Sequence, residues 1–205
     1  HTRFLPVSWA RDVYKRQTSW YANMRRTAER VCRMTRRLTN AFTYDAAEGI
    51  RWQEGAGERM KVVLPGGSGQ LGRLLTQALE RQGDEVVVLS RHGADHARAV
   101  AWDGRSLGAW AREVDGADAV INLAGRSVNC RYTKANLRAM LDSRVESTHA
   151  LGLAIERARR PPRVWLQMST ATIYAHRFDA PNDEVTGRIG GDEPDVPNYW
   201  RTSVE

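Results

Sequence analysis

Cysteine is scarce: Cys32 and Cys130 are the only two in 205 residues, far apart and outside any paired motif. That excludes a disulfide framework and a cysteine-rich zinc centre, and it makes a reducing compartment the default. The histidines are scattered, without the spacing of a metal-ligand set. No apolar run reaches the roughly 20 residues that cross a bilayer. The first residues also lack an apolar segment followed by a small-residue cleavage site. The expectation is a cytoplasmic protein with no membrane partner.

An even spread of charge is also missing. The net charge is +7, yet residues 1–59 carry 12 basic and 6 acidic residues while the other 146 hold 19 and 18. The body is therefore close to neutral, and nucleic acid is not an expected partner of it. An RNA contact would have to come from the N-terminal arm. There Met24–Leu38 reads as one basic helix without a strong apolar face, or as a solvated arm. The string Arg11–Gln17 (RDVYKRQ) resembles a translated sequencing-adapter remnant, and Met60 directly precedes the first apolar run. The expected division is thus 1–59, a basic and poorly structured arm of non-native origin, and 60–205, the native domain.

From Met60 onward, short apolar runs alternate with helical stretches. Strands are predicted at Lys61–Leu64, Glu85–Leu89, Ala99–Trp102, Ala119–Leu123 and Val164–Met168. Helices are predicted at Leu71–Gln82, Leu107–Glu113 and Ala135–Arg159, the last stopped by Pro161-Pro162. Continuous apolar strands separated by helices predict an α/β fold, a doubly wound parallel sheet with helices on both faces. Asp179–Pro197, rich in Gly, Pro, Asn and Asp, reads as a long loop.

The first strand runs into Pro65-Gly66-Gly67-Ser68-Gly69-Gln70-Leu71-Gly72. Glycines at 66, 69 and 72 serve three needs: a sharp turn out of a strand, close approach to a diphosphate, and tight packing of the next helix. The free N–H groups and dipole at that helix start stabilise negative charge. A strand before, an amphipathic helix after and a second strand beyond make this the phosphate turn of a Rossmann unit. No Lys-Ser or Lys-Thr follows the last glycine, so a P-loop does not fit. The second strand ends Leu89-Ser90-Arg91, without the acid that grips the ribose hydroxyls of NAD. A hydroxyl and a guanidinium suit the 2′-phosphate of NADP instead.

These residues resemble the extended branch of the short-chain dehydrogenase/reductase superfamily, the NAD(P)-dependent epimerase/dehydratase-like proteins. More narrowly they resemble a bacterial sugar-nucleotide-epimerase-like group of unassigned substrate. The landmarks are the glycine turn, Asp118–Gly125 (DAVINLAG), Ser143–Thr148 (SRVEST) and Ser169–Tyr174 (STATIY). The resemblance implies that Leu123, Ala124 and Gly125 line the cofactor and that Asp103 lies near the adenine. It implies that Arg144 supports the site from behind and that Thr170 hydrogen-bonds a small-molecule substrate. It also implies a Tyr-x-x-x-Lys pair, in which lysine lowers the tyrosine pKa for proton exchange. Here Tyr199, the candidate acid/base, is followed by Ser203 in the lysine's place. Relatives of this type continue beyond Glu205, so a truncated chain lacking a C-terminal substrate domain is expected; a homo-oligomer stays open. The implied activity is that of an NADP-dependent oxidoreductase or epimerase. The alternative is a non-catalytic dinucleotide sensor, for which the missing lysine speaks.

Overall fold

The computed structural model describes residues 31, 43–45, 49–51, 59–92, 97–170, 173–175, 182 and 187–190. Within the N-terminal arm, β1 (Thr43–Asp45) and β2 (Gly49–Arg51) pair antiparallel as a small ribbon. Val31 is helical and packs against the domain core. Of residues 1–58, these seven are the ones the structure describes.

The body contains β3 (Lys61–Pro65), α1 (Gln70–Glu80), β4 (Glu85–Ser90) and β5 (Arg98–Ala101). It continues with a 3-10 turn at Ala109–Glu113, then β6 (Ala119–Asn122), α2 (Lys134–Arg157) and β7 (Val164–Gln167). The five strands form one parallel sheet in the order β5-β4-β3-β6-β7. All five predicted strands are present, within one or two residues of their expected ends. The predicted helix at Leu107–Glu113 is instead a five-residue 3-10 turn. One turn of chain does not recover the cost of nucleating an α-helix.

Strand periodicity builds two cores. Val62, Leu64, Val86, Val88 and Ile121 face Leu75 and Leu79 of α1. Their alternates Val63, Val87, Leu89 and Val120 face Trp110, Val114, Leu151 and Ala154 on the opposite side. Burial on both faces explains why β3 and β4 read as unbroken apolar runs. Trp102 and Trp110 are core residues, with ring centroids 5.3 Å apart. α2 begins at Thr133, whose side chain accepts a hydrogen bond from Asn136 N at 3.2 Å.

The amino end of the sheet is pinned by carboxylates. Asp118 Oδ2 accepts from Lys61 N at 2.7 Å, and Asp84 Oδ1 accepts from Met60 N at 3.1 Å. Glu113, 3% exposed, meets Lys61 Nζ at 3.4 Å and Arg98 Nη2 at 2.8 Å. These contacts leave the opposite, carboxyl end of the sheet for other work. Among the described residues, no helix is long and apolar enough to cross a membrane.

Candidate functional site

The sheet order reverses direction between β3 and β6, and at such a point the connecting loops part and leave a crevice. A cavity of about 360 Å³ occupies it. The glycine turn forms one side. Gly66 has φ +75°, and a Cβ there would stand 2.7 Å from Ala124 N, so only glycine lets the turn press on the end of β6. Gly66 N donates to Leu89 O at 2.8 Å, and Leu123 N donates to Pro65 O at 2.8 Å. A Cβ on Gly72 would collide with the carbonyl oxygen of Gly67, so the first turn of α1 seats directly on the loop. Gly69 differs: the nearest atom to its Cβ position is Gly66 O at 3.8 Å, and the residue lines the cavity.

Gly69 is the N-cap of α1, where no side chain caps the helix and no acid stands in the first turn. The positive end of the helix is therefore not neutralised from within the helix, which suits an anion bound at that end.

Of the residues singled out from sequence, Gly66, Ser68, Gly69, Ser90 and Arg91 line this cavity from the β3 and β4 ends. Asp103, Leu123, Ala124 and Gly125 line it from the β5 and β6 ends. Gly67, Gln70, Leu71 and Gly72 build the turn and the helix start without forming the wall. Ser90 is buried; its Oγ donates to Ser68 Oγ at 3.1 Å and accepts from His92 N at 3.3 Å, tying the β4 end to the glycine turn. Arg91 is exposed and has no carboxylate partner among the described residues.

Arg144 stands behind the wall. Its Nη1 donates to Met140 O at 2.9 Å and its Nη2 to Arg126 O at 3.3 Å, beside Gly125. Asp103 folds its carboxylate onto its own turn, accepting from the Arg105 and Ser106 amides at 2.9 and 3.0 Å and from the Ser106 hydroxyl. That hydroxyl first, then the two amides, holds its pKa below the ordinary 3.8. Asn122, fully buried, donates from Nδ2 to Gln167 Oε1 at 2.9 Å and accepts at Oδ1 from Ala124 N at 3.0 Å. It thereby joins the end of β7 to the cavity wall.

Thr170 follows β7 on the carboxyl side and is exposed, outside the cavity wall; its carbonyl accepts from Ile173 N at 3.3 Å. Tyr199, Ser203, His176, Cys32 and most of Met24–Leu38 lie outside the described residues. Sequence reasoning missed the far wall. Ser143, Glu146 and Ser147 reach the cavity from α2, Arg105 and Arg126 from loops. Arg105 Nε meets Glu146 Oε2 at 2.9 Å, bridging the loop after β5 to α2. Only the 3.6-residue spacing of Ser143, Glu146 and Ser147 along α2 hinted that they share a face.

Fold, glycine turn and crevice together define a dinucleotide-fold α/β domain of the extended short-chain dehydrogenase/reductase type. The model of the NAD-dependent epimerase/dehydratase family matches residues 62–194, about two thirds of the sequence. The chain belongs to that family. It is 34% identical over 129 residues to epimerase family protein SDR39U1 of Bos taurus, covering 61% of this chain and 42% of that protein. It is 33% identical over 119 residues to epimerase family protein YfhF of Bacillus subtilis, covering 56% and 39%. Among solved structures it resembles human SDR39U1 isoform 2 with NADPH, at TM-score 0.55 and 30% identity over 71% of this chain and 49% of that one. The chain thus spans less than half the length of these relatives.

Proposed function

We propose that this cavity binds NADP(H) and that the chain serves an oxidoreductase- or epimerase-like reaction at a hydroxyl or carbonyl carbon of a small molecule, with a nucleotide sugar as the substrate class. One observation carries the reading: an uncapped helix start behind a glycine turn, open at Gly69, at the switch point of a parallel sheet. The residues present fit the cofactor. Gly69 leaves the space a diphosphate needs, and the α1 amides supply charge-stabilising donors. Arg91, free of carboxylates among the described residues, suits a 2′-phosphate, and no acid at that position selects NAD. The human SDR39U1 structure with NADPH supports this choice.

The nicotinamide supplies a hydride donor or acceptor when bound. The chain's own residues bind and orient. Leu123, Ala124 and Gly125 wall the β6 side. Arg144 and Ser143 hold the loop that follows: Ser143 Oγ accepts from Arg126 N at 2.9 Å. Thr170, on the exit from β7, orients the reacting oxygen, and Tyr199 exchanges its proton without a lysine at position 203. Ser203 also supports a second reading, dinucleotide binding without turnover.

Titration with NADPH and NADH, followed by cofactor oxidation across a panel of carbonyl compounds, tests both. Tight NADPH binding with turnover that falls in Thr170→Ala is the expected result. Binding without turnover, indifferent to Thr170→Ala, selects the sensor. No binding of either dinucleotide ends the proposal.

A further inference from the structure

Three anion-recognising features stand side by side along the carboxyl edge of the sheet. The order β4-β3-β6 sets Arg91 beyond β4, the glycine turn beyond β3 and Arg126 beyond β6. Neighbouring strands lie about 4.8 Å apart, so the three line one crevice in sequence. Both arginines line the cavity. On the NADP(H) reading, which this inference deepens, the cofactor's anions account for two of the three. Its 2′-phosphate meets Arg91 and its diphosphate meets the turn. The nicotinamide end carries no anion for the third.

Arg126 is nonetheless built for one. Its backbone is held twice, N–H by Ser143 Oγ at 2.9 Å and carbonyl by Arg144 Nη2 at 3.3 Å. Its guanidinium is aimed by one neutral contact, Nη2 to Asn136 Oδ1 at 2.8 Å. No carboxylate neutralises it among the described residues, whereas Arg105, also on the cavity wall, is paired with Glu146. A guanidinium fixed at one nitrogen, with its other donors unspent, is preorganised for a two-oxygen acceptor. We propose that Arg126 is a substrate-binding residue that selects a substrate bearing an anionic oxygen group, a phosphate or a carboxylate.

The test uses the whole chain, ¹⁵N-labelled and saturated with NADPH. It is titrated with inorganic pyrophosphate, with D-glucuronate and with neutral D-glucose. The Arg126 Nε–H and the Gly125 amide report occupancy. Saturable shifts with pyrophosphate or glucuronate, and none with glucose, are expected; which anion acts distinguishes phosphate from carboxylate. In Arg126→Gln, read at Gly125, anion affinity drops roughly 10- to 100-fold, the span of a charged hydrogen bond. NADPH affinity stays within about twofold, since the residue serves the substrate and not the cofactor. A parallel loss of NADPH affinity makes Arg126 a cofactor contact and overturns the proposal. So do equal shifts with glucose, or silence with both anions. If the unmodified chain fails to bind NADPH, the cofactor reading falls first, a result separable from normal NADPH binding with a silent Arg126.

Discussion

Gly66 and Ala124 meet across the switch point so closely that a methyl group on Gly66 would lie 2.7 Å from the Ala124 amide nitrogen. The glycine turn and the end of β6 are therefore one structure, although 58 residues separate them in sequence. Gly66→Ala meets both this clash and the φ of +75°. A loss of about 3 kcal/mol is expected from left-handed strain plus overpacking. Chemical denaturation measures it.

Gly69→Ala should behave in the opposite way. Nothing stands closer than 3.8 Å to its Cβ position, so no clash opposes the methyl, and the poorer N-cap should cost no more than about 1 kcal/mol. Dinucleotide affinity should fall, because the methyl enters the space assigned to the diphosphate. Paired melting curves and NADPH titrations of the two variants separate the structural glycine from the binding one.

Arg91→Ala should lower NADPH affinity roughly 10- to 100-fold while leaving NADH affinity nearly unchanged, as expected for one charge-assisted contact. The ratio of the two dissociation constants, at fixed ionic strength, is the measurement. An unchanged ratio would remove the 2′-phosphate assignment.

This contrast shows what the sequence made legible. The turn, the strands and the β6 end are local patterns: glycine spacing and apolar runs that carry their own physics. Gly66, Arg91 and Ala124 could be located because each sits just past a strand end, and Gly69 because it opens the helix that follows the glycine turn. Glu146 could not, since its arrival depends on how α2 crosses the sheet, and Arg126, on the loop beyond β6, could not because its guanidinium is aimed by Asn136 of α2. Arg144 was legible as a supporting residue, but not that its guanidinium would grip two backbone carbonyls. The short turn at Ala109–Glu113 read as a longer helix because Trp110 and Val114 share its buried side.

Glu113 anchors the far end of the sheet, buried between Lys61 and Arg98. Glu113→Ala leaves the partly buried Lys61 ammonium without its carboxylate and should cost about 3 kcal/mol, the range for breaking a buried pair. Residual NADPH affinity, measured well below the melting temperature, should be unaffected, since the cavity lies at the other end of the strands.

Asp103 supplies a pH signature. Its pKa is lowered in the folded chain, chiefly by the Ser106 hydroxyl and then by two amides. The folded value lies below the unfolded one, so the stabilisation is complete above about pH 4 and is lost as pH falls through the depressed value. Ser106→Ala should move the Asp103 titration upward, toward 3.8, and shift that loss to higher pH. Carboxyl-carbon NMR titration of both proteins reads the change directly.

Asn122 has a wider consequence. One buried amide spans from Gln167 to the Ala124 nitrogen, so the exit of β7 and the β6 wall share a single polar bolt. The strand exit that leads to Thr170 and the wall at Ala124 therefore hang on the same side chain. Replacing Asn122 would loosen both at once, and by linkage any coupling between sites at the two ends would be equal in both directions.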